Sequence, residues 1–291
     1  MNSFQRSWRL FKESWSVLSH NKQLLIFPLI STIAVLVAMA IFIVPTIVIL
    51  MASGAVDSLA GDQADTAFTI TNLIMVFLFA LVTSFVNTFF SAGLISQALA
   101  HFRGEPVSFG AGISIALSRI SAILGFSAMA ATVGTLASVM RGNGRGGASL
   151  LGSLMAGLTE AAWNIASFLA VPFIVAKGVG PVEALKQSAL ALKHTFGETI
   201  IGGGGMGFIL GIPMVIVGFV GFGGGVMAMV NDMISLGIGL MVLTVAFWIV
   251  LGLITSALND IYRAAVYLYV QEKEPNPAFD TEILQSAFHA K

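Results

Sequence analysis

Long charge-free apolar runs, separated by short polar segments, set the pattern of this chain. The charge-free intervals are Gln23–Val56, Thr66–Phe102, Ile120–Met140, Ala161–Ala176, Thr199–Asn231 and Met233–Asn259. A helix needs about 20 apolar residues to cross a bilayer, and a charge at its centre costs several kcal/mol. The intervals therefore predict six membrane spans, at about 24–51, 69–99, 119–140, 158–177, 199–221 and 234–259. Between them lie segments that read as turns or surface stretches, such as "DSLAGDQAD" after the first and "RGNGRGG" after the third. The expected fold is all-α, a polytopic membrane helical bundle over 1–271 with a cytoplasmic tail over 272–291. Pro45, Pro172 and Pro213 fall inside spans one, four and five and predict kinks there.

Two segments show a different period. Trp8, Phe11, Trp15 and Leu18 fall on one helical stripe, with Arg6, Arg9, Lys12 and Glu13 on the other face. Val182, Leu185, Ala189 and Leu192 repeat that spacing opposite Glu183, Lys186, Gln187 and Lys193, and Pro181 suits a first helical turn. The two stretches also echo each other: "FKESWSVLSH" and "LKQSALALKH" share Lys, Ser, Leu and His at matched positions. Both predict interfacial amphipathic helices, at about 4–19 and 181–196, with Trp8, Trp15, Leu185 and Leu192 as membrane anchors. A weaker third copy starts at "SFGAGISIALSRI", where Ile113, Leu117 and Ile120 share a stripe.

Composition and charge fit this picture. Hydrophobic residues make up 57% of the 291-residue chain and charged residues 10%, which places it among membrane proteins. Basic and acidic residues number 14 each, so there is no net positive field for a nucleic-acid partner. Without cysteine there is no disulfide and no thiolate ligand or nucleophile. The first apolar run is longer than a signal-peptide core and predicts a retained span. With the amino terminus inside, all basic residues except Arg141 and Arg145 lie on the cytoplasmic side, which predicts a cytoplasmic (inner) membrane protein with both termini cytoplasmic.

Few residues offer chemistry. The residues between Glu160 and Lys177 rise about 24 Å against an apolar core of about 30 Å, so one end must sit at the interface. Lys177 can snorkel inward, which puts Glu160 near the outer edge with Asn164 one turn deeper. Glu160 reads either as a buried acid on a proton or cation route or as an interfacial Glu satisfied by Arg141 or Arg145. Asn87, deep in the second span, reads as a cross-helix hydrogen-bonding amide or as part of a conduit. "GGGGMGFILG" lacks the Lys and Ser or Thr of a phosphate loop; Gly203, Gly207 and Gly211 are four apart and predict close helix packing. The four histidines lack metal-ligand spacing, so no metal and no cofactor is expected.

Four stretches carry a family likeness: "SWRLFKESWSVLSHNKQLLIFPLIS", "FVNTFFSAGLISQAL", "WNIASFLAVPFIVAKGVGPVEALKQSALALKHTFGE" and "ALNDIYRAAVYLYVQEKEPNPAFDTEILQSAF". In them the chain resembles an uncharacterised family of prokaryotic integral membrane proteins, a domain of unknown function. The resemblance implies six membrane helices and supplies no catalytic residues. The reading of the residues is a non-enzymatic scaffold, assembly or lipid-organising component. Its partners are membrane lipids, with a second copy or another membrane protein as further candidates. The alternative is a small-solute or ion transporter or channel using polar residues of spans two, four and five.

Overall fold

The computed structural model describes residues 14–52, 66–142, 147–196 and 205–272, together with Lys12. Trp8, Gly203, Arg145 and residues 273–291 lie outside these. Every regular element described is helical: α1 (14–20), a 3-10 turn at Lys22–Leu25, α2 (Ile26–Ala52), α3 (Thr66–Phe102), α4 (Phe109–Ser118), α5 (Ile120–Gly142), α6 (Gly147–Ser167), α7 (Ala170–Lys177), α8 (Pro181–Phe196), α9 (Gly205–Val230) and α10 (Ile234–Glu272). Six stretches are long and apolar enough to cross a membrane: Lys22–Pro45, Leu73–Phe102, Ile120–Arg141, Leu150–Lys177, Pro213–Val230 and Ile234–Gln271.

Two of the helices outrun the membrane. At 39 residues α10 is about 58 Å long, nearly twice an apolar core of about 30 Å. Asp260 and Arg263 end the charge-free interval but not the helix, so the surplus length is the stretch that carries them. α3, with 37 residues, is similarly long.

Packing divides the chain into two compact units. The first takes residues from Met1–Pro28, Gln97–Phe109 and Lys193–Lys291, the second from Leu29–Ser96 and Gly110–Leu192. In the first, Val17, Leu18, Leu24 and Phe27 are buried, the Lys22–Leu25 turn packs on α10, and the Phe27 ring lies 4.8 Å from that of Phe109. Asn21 at the turn donates to the Val17 carbonyl and meets His101 Nδ1 at 3.2 Å. α9 and α10 form a hairpin closed by small residues. A Cβ at Gly221 would collide with Thr244, and one at Gly218 with Trp248, so these glycines let the two backbones approach. The Trp248 indole N–H donates to the Met214 carbonyl at 3.0 Å, a second tie between the two helices.

In the second unit α5 and α6 form a second hairpin, with the Phe126 and Trp163 rings stacked at 5.6 Å. The fourth span is discontinuous. Pro172 has no N–H, and in an unbroken helix its ring would clash with the Phe168 carbonyl; the chain turns at 168–169 and restarts as α7. Pro45 and Pro213, by contrast, lie inside uninterrupted helices. α7 ends at Gly178, whose φ of 66° is left-handed and whose N–H bonds the Ile174 carbonyl. Pro181 then opens α8.

Candidate functional site

The polar side chains of the second unit are placed by its helix pairs. Arg141 stands in the last turn of α5, where a cation complements the helix carbonyl end. It reaches across the hairpin, and its Nη2 donates to Glu160 Oε1 at 2.7 Å. Of the two readings for Glu160, the geometry is that of the paired acid. Asn164, one turn on, is exposed and has no hydrogen-bond partner among the described residues.

Asn87 forms a separate pairing. Ser31 Oγ of α2 donates to Asn87 Oδ1 at 2.9 Å, so the amide bonds across helices. No described bond joins this pair to Glu160. In the first unit Gln97, almost fully buried, accepts the Ser108 backbone N–H at 2.8 Å through Oε1 and holds the turn after α3.

The two serines shared by the echo point into the protein. Ser14 and Ser188 are both completely buried. Ser188 Oγ accepts the backbone N–H of Leu169 at 2.9 Å, at the break between α6 and α7. That N–H is an orphan of the broken span, and the hydroxyl of α8 supplies its acceptor. Ser14 Oγ has no partner among the described residues. Neither role was legible in the sequence, although the matched serines of the echo were the available signal.

The faces of the short helices also differ from their apolar stripes. α8 buries Ala184, Ser188 and Leu192, while Val182 is 67% exposed and Leu185 only half-buried. Leu192, expected as a membrane anchor, is 4% exposed and packs inside the protein. α4 buries Gly112 and Ala116 and exposes Leu117. In α1 Trp15 is exposed while Ser14, Val17 and Leu18 are buried. Small residues face inward on α4 and α8 because they let a short helix lie close to its neighbours, which leaves larger side chains outside.

Among the glycines, Gly211 has nothing within reach of an added Cβ, and Gly207 lies in α9. Among the described glycines Gly218, Gly221 and Gly225 of α9 and Gly237 of α10 close the α9–α10 hairpin. Among the described residues no three His, Asp or Glu side chains gather to hold a metal ion. Asp260, almost fully buried on α10, has Arg263 Nη1 at 3.6 Å one turn away.

These features define an all-α polytopic membrane protein. Residues 69–276 match DUF6159, a family of unknown function, and as this is more than half of the chain, the protein belongs to that family. No curated protein and no solved structure matches it.

Proposed function

We propose that the protein is a non-enzymatic component of the cytoplasmic membrane, a scaffold, assembly or lipid-organising element with both termini cytoplasmic and no conduit through its spans. Support comes from one observation: the polar side chains best placed for a conduit are bonded within the protein's own packing, Glu160 to Arg141 and Asn87 to Ser31. Self-association or a membrane-protein partner fits the same reading. A second reading, a small-solute or ion transporter, draws on the discontinuous fourth span and the unpartnered Asn164, since broken helices line ion sites in transporters.

Reconstitution in liposomes separates the two. The expected result is proton and potassium flux no faster than in protein-free vesicles. Flux that Glu160→Gln or Asn87→Ala abolishes would overturn the proposal in favour of transport.

A further inference from the structure

Where α7 ends, three cations lie among apolar side chains that the packing turns outward. The Arg119 guanidinium lies against Gly178, with Nη1 2.5 Å from where a Cβ of that residue would be. Lys177 immediately precedes this glycine, its Nζ 3.5 Å from Gln187 Oε1 of α8 and 5.0 Å over the Phe173 ring, and Lys186 is the neighbour of Gln187 on α8. Among the described residues Arg119 has no ion-pair partner. The acid on this part of α8, Glu183, accepts a hydrogen bond from Gln187 Nε2 at 2.9 Å. Leu117 and Ile120, exposed beside Arg119, and Val182, exposed in the first turn of α8, complete the patch. On about 3.6 residues per turn, Val182 and Lys186 share the stripe opposite Ala184 and Ser188. An aqueous surface gains nothing from exposed aliphatic side chains among lysines, whereas the headgroup layer suits both, with cations at the phosphates and alkyl groups at the acyl boundary.

We propose that Arg119, Lys177 and Lys186, set among Leu117, Ile120 and Val182, form a docking surface for the headgroup of an anionic phospholipid. Its phosphate sits on the three cations and the upper parts of its acyl chains lie on the aliphatic side chains. This deepens the lipid-organising part of the function proposed above and rests on it.

The chain has no cysteine, so a single Val182→Cys variant of the full protein takes one bimane label. In phosphatidylcholine vesicles, spin-labelled phosphatidylglycerol is expected to quench this label at about tenfold lower mole fraction than spin-labelled phosphatidylcholine, in keeping with the attraction of basic residues near a membrane surface. A label at Leu150→Cys, exposed at the far end of the span Leu150–Lys177 that precedes α8, should show equal quenching by the two lipids. The Lys177→Gln/Lys186→Gln pair removes two charges without touching the buried face of α8, and should bring the ratio at position 182 most of the way to one; Arg119→Gln should complete the loss. Equal quenching in the unsubstituted background, or iodide quenching of the label at position 182 at the free-dye rate, would overturn the docking surface. Substrate flux in the vesicle assay would overturn the functional reading and leave this ratio unmoved, so the two failures are distinguishable.

Discussion

Two charge-free stretches of α3 have opposite surroundings. In "LIMVFLFA", residues 73–80, none is buried and Leu73, Ile74, Met75, Val76 and Leu78 are exposed; in "AGLISQAL", residues 92–99, every residue is buried. The same contrast recurs in α10, where "VAFWIVL" at 245–251 is largely exposed and "AVYL" at 265–268 is buried throughout. The difference lies in size and polarity. Side chains that meet lipid are large and purely aliphatic or aromatic, because hydrocarbon accommodates any shape and offers no hydrogen bond. Stretches buried in protein carry Ala, Gly, Ser, Gln and Asp, because neighbouring helices must approach closely and can satisfy polar groups. Apolar content marks what leaves water, and small or polar content marks what meets protein.

The largest effect should come from the buried stretch. Ile95→Ala removes a fully buried side chain and leaves a cavity, at a cost of about 2–5 kcal/mol. Ile74→Ala, on the exposed stretch of the same helix, should cost less than about 1 kcal/mol, because lipid fills the space. Reversible unfolding in mixed micelles measures both. Equal losses would break the comparison, since they would mean that 73–80 also packs against protein.

A smaller effect sharpens it at the broken span. Ser188→Ala leaves the Leu169 N–H without an acceptor in a dry interior, at a cost of about 1–3 kcal/mol. Ser14→Ala, its counterpart in the echo, deletes a buried hydroxyl with no described partner and should cost less than about 0.5 kcal/mol or stabilise slightly. The same unfolding measurement separates the two. If both serines cost the same, the hydroxyl of Ser188 is not what holds the break.

This contrast also explains how much could be read from the sequence. The six spans and the all-α class follow from apolar run length, which depends only on the bilayer. The Glu160–Arg141 pair was one of two readings open from charge placement, with Arg141 and Arg145 as candidate partners, and the structure pairs Glu160 with Arg141. On α8 the apolar stripe read as facing the membrane is largely exposed, and Leu192 is the member that packs inside the protein. Val182, Leu185, Ala189 and Leu192 form the apolar stripe, but α8 packs through Ala184, Ser188 and Leu192. In water an apolar stripe must face the protein, whereas beside a bilayer it can face lipid, so periodicity alone does not choose. The charge-free interval Thr66–Phe102 coincides with α3, whereas α10 runs on past Asn259 through Asp260 and Arg263 to Glu272 in a largely protein-buried stretch. The Ser188 acceptor depends on the break at 168–169, and Pro172 alone predicts a kink there without naming what satisfies the freed N–H.

The smallest expected effect tests the lipid side of the comparison most directly. Phe219, in the span Pro213–Val230, is 84% exposed, and its neighbour Gly218 is buried against Trp248. In a soluble protein a buried Phe→Ala costs about 3–5 kcal/mol, because the ring leaves a cavity in a core that cannot refill it. Acyl chains around an exposed ring in a membrane span refill by flowing, and both the folded state and the helices separated in the membrane keep such a ring in hydrocarbon. The transfer term therefore cancels, and Phe219→Ala should change unfolding stability by no more than about 0.5 kcal/mol. A loss several times larger would place a protein surface over Phe219, and a second copy of the chain would then be the first partner to look for, by crosslinking through a cysteine introduced at that position.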